Sequence, residues 1–155
     1  MQTQSIDLKN LMFGLVAAVA FALPATHAVA AMTPESLAGV TLVNADKAKE
    51  LQAKGGVMVD TRVANEYAEA HIKGAISVPY KEKSAKAPDF DASQDSFDLS
   101  KLPADKNAVI IMYCNAGECW KSYKASAVAS KAGYKKIHWF RGGFPEWKAK
   151  GFPTE

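Results

Sequence analysis

From Thr41 onward, apolar positions fall into short runs separated by polar, glycine- or proline-marked breaks. Thr-Leu-Val at 41–43 reads as a weak first strand. Asn44 caps a helix from Ala45 to Ala53, and Gly55-Gly56 stops it. Val57 to Asp60 is a short buried strand, Ala64 to Ala70 a short helix, and Ala75 to Val78 a strand closed by Pro79. Residues 81–107 are polar, with two prolines and several Asp and Ser, and predict a long surface loop with at most one helical turn. Ala-Val-Ile-Ile-Met-Tyr at 108–113 is the most apolar run of this region and predicts a central strand buried on both faces. Trp120 to Ala132 carries apolar and small residues at helical spacing before Gly133. Lys136 to Phe140 is the last strand, and Phe144 to Lys150 is a closing helix stopped by Gly151.

Strands alternating with helices predict an α/β fold, a parallel sheet with helices on both faces. Ligands in such sheets sit at the carboxyl ends of the strands. Cys114 is placed there, directly after the central strand.

The first thirty residues do not fit this alternation. Leu11 to Leu23 is an unbroken apolar or glycine run, Pro24 breaks it, and Ala28-Val29-Ala30 has small residues at a cleavage spacing. The run is shorter than the roughly 20 residues a bilayer span needs. Residues 1–30 are therefore expected to be a signal peptide cut after Ala30, leaving 31–155 as one domain in the periplasm or secreted, with no stable membrane span. The n-region is weakly charged, since Asp7 offsets Lys9. An uncleaved anchor is the alternative, and it also puts the domain outside the cytoplasm.

Composition changes this picture little. Hydrophobic residues make up 48% of the 155, enough for a packed core. The formal charge of +3 is spread along the chain, so no basic block argues for nucleic acid, and the balance favours small anions only weakly. The cysteines matter more. There are two, Cys114 and Cys119, five apart. In an oxidising compartment a disulfide is the first expectation. A bridge closing so small a loop constrains little unfolded-state entropy, so a chemical role competes with a structural one.

The segment Cys114-Asn115-Ala116-Gly117-Glu118-Cys119-Trp120-Lys121-Ser122 runs from a central strand through a short loop into a helix. Backbone N–H groups of such a loop converge on one point, and the helix adds its positive end. Asn115, Ala116, Gly117, Glu118, Trp120 and Lys121 form the expected anion cradle, with Lys121 and Lys124 adding charge. A cysteine at its base has its thiolate favoured. A cysteine ending a buried strand is also often just a small hydrophobe, and on this loop alone the two readings are evenly matched. No metal is expected: the pair lacks a second Cys/His pair at ligand spacing.

Three ordered stretches resemble the rhodanese-like domain family over nearly the whole chain after the leader. They are Val57-Met58-Val59-Asp60-Thr61-Arg62 with Glu66-Tyr67, His71-Ile72-Lys73-Gly74-Ala75-Ile76 and Pro79; Cys114-x-x-Gly117; and Gly133-Tyr134 with Phe140-x-Gly142-Gly143 and Trp147. The resemblance implies a five-stranded parallel sheet flanked by helices. It also implies a sulfurtransferase in which Cys114 takes the outer sulfur of a donor such as thiosulfate and passes it to a thiol or cyanide, with no cofactor. Asp60 and Arg62 either border the site or orient its surroundings. Arg62 and Glu66, four apart, are placed to form a salt bridge, and His71 to hydrogen-bond a turn. Gly142-Gly143 is expected to need positive φ or close packing, and Trp147 to be core.

The loop departs from the family pattern. The sixth position is Cys119 where the family has Arg, and Lys121-Ser122 resembles the family's Arg-Ser pair shifted by two residues. The cradle is expected to be enlarged, and without a loop Arg a phosphatase is disfavoured. Cys119-Trp120 is similar to an exported subgroup of the family. Three roles for Cys119 stay open: a resolving thiol that turns the Cys114 persulfide into a disulfide, a regulatory thiol that protects Cys114 from over-oxidation, or a spectator. The expected partners are a small sulfur-containing anion, a thiol acceptor and a periplasmic redox protein. The competing function is a thiol/disulfide redox partner or a non-catalytic binding module on the same fold.

Overall fold

The computed structural model describes residues 31–155; the expected leader, 1–30, lies outside the described residues. Five parallel strands are ordered β1-β5-β4-β2-β3: β1 (Thr41–Val43), β2 (Val57–Asp60), β3 (Ile76–Ser77), β4 (Val109–Tyr113) and β5 (Lys136–Phe140). Four helices connect them: α1 (Ala45–Ala53), α2 (Ala64–Glu69), α3 (Trp120–Lys131) and α4 (Gly143–Ala149).

Period-two alternation along β4 divides the core. Ile111 and Tyr113 face α1 and α4, packing with Ala45, Ala48, Phe144 and Trp147. Ile110 and Met112 face α3, packing with Ala125, Ala129 and Ile137. With a helix layer on each face, β4 is apolar throughout, as its sequence requires.

Chain direction reverses across the middle of the sheet. From β2 the chain runs outward to β3; from the adjacent β4 it runs the other way to β5. This is the switch point at which the carboxyl ends of a parallel sheet leave a crevice. Cys114 follows β4 at that point.

Several elements are shorter than their patterns predict, for local reasons. Helix α2 stops at Glu69 because Ala70 turns extended, and its carbonyl accepts Arg62 Nη2 at 2.7 Å. Strand β3 shrinks to two residues beside Pro79, although Val78 N and Tyr80 N still donate to Asp60 O and Thr61 O. Residues 81–107 hold two short 3-10 turns, Ala92–Gln94 and Leu99–Lys101. Among the described residues no helix is long and apolar enough to cross a membrane.

Candidate active site

Cys114 and Cys119 are paired as a disulfide, with Cα atoms 6.3 Å apart. Their surroundings differ. Cys114 is 1% exposed, while Cys119 is partly exposed at the N-cap of α3. With the bridge in place Cys114 has no hydrogen, so Ser122 Oγ, 3.0 Å from Cys114 Sγ, is the donor. Ser122 is itself buried and accepts from Trp139 Nε1 at 3.0 Å, which leaves its own proton free to point at the sulfur. The Cys119 carbonyl oxygen also faces Cys114 Sγ, at 3.2 Å.

Several contacts hold the loop. Phe144 N donates to Cys114 O at 2.9 Å, which ties the start of the loop to α4. The approach is close enough that a Cβ on Gly143 would run into the Cys114 carbonyl, and Gly143 has φ +59°. Only glycine meets both conditions. Asn115 Nδ2 donates to Glu66 Oε1 at 2.5 Å. Ala116 adopts φ 42°, uncommon for a residue with a Cβ, and thereby turns the chain into the loop. Cys119 N donates to Ala116 O, whereas the amides of Gly117 and Glu118 have no acceptor among the described residues. Those two N–H groups lie in the turn that leads into α3.

Glu66 corrects one expectation. It does not pair with Arg62; it restrains Asn115 of the loop. Arg62 instead pairs with Asp60, Nη2 to Oδ2 at 2.6 Å and Nε to Oδ1 at 3.0 Å, with both residues buried. Burial opposes the charged guanidinium, but the Asp60 hydrogen bonds and charge outweigh it, and the Arg62 pKa is raised. Tyr113 OH donates to the same Asp60 carboxylate at 2.7 Å, and burial together with that carboxylate raises its pKa. Asp60 and Arg62 thus lock β2, β4 and the 70–72 turn together behind the loop. They orient Tyr113, the residue before Cys114, and do not line the cradle.

Two further cradle assignments change. Lys124 is fully buried on α3, donating to Ser84 O and Oγ and pairing with Glu82. It holds the 81–97 segment and adds no charge to the cradle. The Trp120 ring packs against Tyr123, in a cluster with Trp139, and its Nε1 donates to Ala31 O at 2.8 Å. Trp120 therefore contributes no side-chain group to the cradle. Lys121 does reach the mouth. It lines an open cavity of about 450 Å³ with Lys86, Asn115, Ala116, Glu118 and Cys119. His71 fits its expected role, with Nδ1 2.8 Å from Tyr67 O and its ring stacked on Tyr67. Trp147 is core, and Gly142 has ordinary φ but is closely packed, since a Cβ there would run into the Glu146 side chain.

The pattern of residues did not point to Thr33 and Arg141. Arg141 bonds Thr33 O and Oγ1, and Thr33 N and Oγ1 both donate to Gly117 O, at 2.8 and 2.7 Å. Neither residue belongs to a motif, so only the fold reveals the contact.

This arrangement defines an α/β domain with a cysteine-bearing loop at the switch point of a parallel sheet. The chain belongs to the rhodanese-like domain family, whose model matches residues 44–150. The thiosulfate sulfurtransferase PspE of Escherichia coli is 30% identical over 79 residues, covering 51% of this chain and 62% of PspE; the chain thus spans less than two thirds of that relative. The chloroplastic thiosulfate sulfurtransferase 16 of Arabidopsis thaliana is 30% identical over 113 residues, covering 73% of this chain and 91% of the relative. Among solved structures, the BH2092 protein of Bacillus halodurans matches with a TM-score of 0.56 and 24% identity, over 74% of this chain and 76% of that one, a likeness of fold.

Proposed function

We propose that the protein is an exported sulfurtransferase or persulfide carrier whose nucleophile is Cys114. The observation that carries this reading is the position of Cys114. It follows β4 directly at the switch point, beside the N-terminus of α3, with a buried hydroxyl donating to its sulfur. In the reduced protein the Cys114 thiolate attacks the outer sulfur of thiosulfate. A new S–S bond forms, the bond to the sulfonate breaks, and sulfite leaves with the electron pair. The amides of Gly117 and Glu118 hold the negative terminal sulfur, and Lys121 stands at the mouth. An acceptor thiolate then takes that sulfur and returns Cys114 to the thiolate. The sulfurtransferase relatives support this chemistry at the level of the family.

The Cys114–Cys119 bridge favours a second reading. Here Cys119 thiolate attacks the inner sulfur of the Cys114 persulfide, forming the disulfide and expelling hydrosulfide, and the protein needs a thiol reductant for each cycle. The export component rests on the apolar run from Leu11 to Leu23 and the Ala28-Val29-Ala30 site. N-terminal sequencing of the protein recovered outside the cytoplasm tests it, with Ala31 the expected first residue.

The deciding experiment is to reduce the protein, remove the reductant, add thiosulfate and measure intact mass. The expected result is a gain of one sulfur, lost in Cys114→Ser and kept in Cys119→Ser. A rapid disulfide with no sulfur gained in either cysteine variant would leave thiol/disulfide exchange as the function.

A further inference from the structure

The two sulfurs of the bridge are unequally accessible. Cys114 Sγ lies inside the fold, with Ser122 Oγ at 3.0 Å and Cys119 O at 3.2 Å, and the residue is 1% exposed. Cys119 lines the open 450 Å³ cavity together with Lys86, Lys121 and Pro145; Cys114 does not line it. A thiolate that cleaves a disulfide must reach one sulfur and displace the other as a leaving thiolate. The rate depends on access to the first and on how well the second carries charge. Access selects one direction here. Cys119 is reachable, and Cys114 departs beneath the Ser122 hydroxyl, which donates to its sulfur.

We infer that an external small thiol reduces this bridge in one direction, by attack on Cys119 from the open cavity. The incoming thiolate forms an S–S bond to Cys119 Sγ. The Cys119–Cys114 bond breaks, and its electron pair goes to Cys114. A second thiolate attacks the small-molecule sulfur of the mixed disulfide, releasing the oxidised small thiol and Cys119 thiolate. The thiols are the reductant, and two electrons pass from them to the pair. The inference rests on the reading of Cys114 as the sulfur-accepting nucleophile, and it gives Cys119 a specific task. Cys119 carries the mixed disulfide, so Cys114 emerges free and is never itself blocked by the reductant. The bridge is then a resting form that any thiol-rich condition opens onto a ready nucleophile.

The test uses the full oxidised chain. A limiting amount of 2-mercaptoethanol is added, the reaction is stopped at early times with acid and N-ethylmaleimide, and the peptide spanning 107–121 is sequenced by tandem mass spectrometry. The expected product has mercaptoethanol on Cys119 and maleimide on Cys114, in at least about tenfold excess over the reverse. Adducts mainly on Cys114, or equally on both, overturn the inference, as does an oxidised protein in which both cysteines stay free. Thiosulfate loading of the fully reduced protein is measured in parallel. Loading with adducts on Cys114 sinks only the direction of attack; failure to load with adducts on Cys119 sinks only the sulfur-carrier reading.

Discussion

Ser122 stands between two buried groups, taking a hydrogen bond from Trp139 Nε1 and giving one to Cys114 Sγ. Its hydroxyl has one proton to give and room to accept, so a single atom satisfies both neighbours. Ser122→Ala removes both interactions at once. The Trp139 N–H is left buried without an acceptor, which costs about 1–3 kcal/mol. The Cys114 thiolate loses one hydrogen bond, worth on the order of 1.4 kcal/mol or about tenfold. In a Cys119→Ser background, alkylation of reduced Cys114 by iodoacetamide at neutral pH should slow by up to about that factor, less to the extent that the more basic thiolate is the better nucleophile. Ser122→Thr should restore most of the rate, because it returns the hydroxyl. An unchanged rate in Ser122→Ala, with the fold intact by circular dichroism, would show that the hydroxyl serves packing alone.

At the scale of elements, the strands and helices were legible because each is dictated locally. The apolar run before Cys114 is buried on both faces, and Asn44 caps α1 by accepting from Lys47 N at 2.9 Å, as its position predicts. The segment 81–97 was legible only as polar and long, because its order comes from contacts distant in sequence. Tyr80 OH, Lys83 N, Ser84 N and Ser84 Oγ all donate to Asp95, and Lys124 from α3 bonds Ser84. Polar residues that bond each other read the same in sequence as polar residues that face water. The partner of Glu66 is hidden for a related reason: helical spacing points to Arg62, but the fold gives Asp60 to the arginine and Asn115 to the glutamate. Burial pushes the Asp95 carboxyl up, yet the Ser84 and Lys83 donors prevail and hold its pKa well below the usual range. A carboxylate depressed in the folded state stabilises fully above its unfolded value, about 3.9, and that stability is lost as pH falls below it. The contribution of Asp95 to the urea midpoint should therefore hold steady from neutrality to about pH 5 and then decline. Asp95→Asn should cost about 2–3 kcal/mol at pH 7, with a smaller difference from wild type at pH 3. A constant difference across that range would mean the charge of Asp95 contributes nothing.

Across the whole molecule, the start of the described chain, the active-site loop and the end of β5 are joined into one unit. Thr33 is the joint. Its N–H and hydroxyl hold the Gly117 carbonyl, its own oxygens receive the Arg141 guanidinium, and two residues earlier Ala31 O accepts from Trp120. Gly117 and Glu118 supply the amides of the proposed cradle, and the Gly117 carbonyl on the peptide between them is held by a strap 84 residues away in sequence. Thr33→Val keeps the side-chain shape and deletes the hydroxyl, leaving Arg141 Nε without its acceptor and Gly117 O with one donor where it had two. The expected loss is about 1–2 kcal/mol, concentrated in the loop. Amide hydrogen exchange should therefore rise in the peptide spanning 114–121 and stay unchanged in β4. Arg141→Lys should give a similar but weaker effect, because an ammonium cannot reproduce the two-pronged guanidinium contact. The functional readout is thiosulfate loading, which should slow in both variants while the protein remains folded. If exchange in the loop is unaffected, the strap is only a covering of the surface. If exchange rises and loading does not change, the cradle tolerates motion of its amides, and charge stabilisation by Ser122 and α3 suffices for sulfur capture.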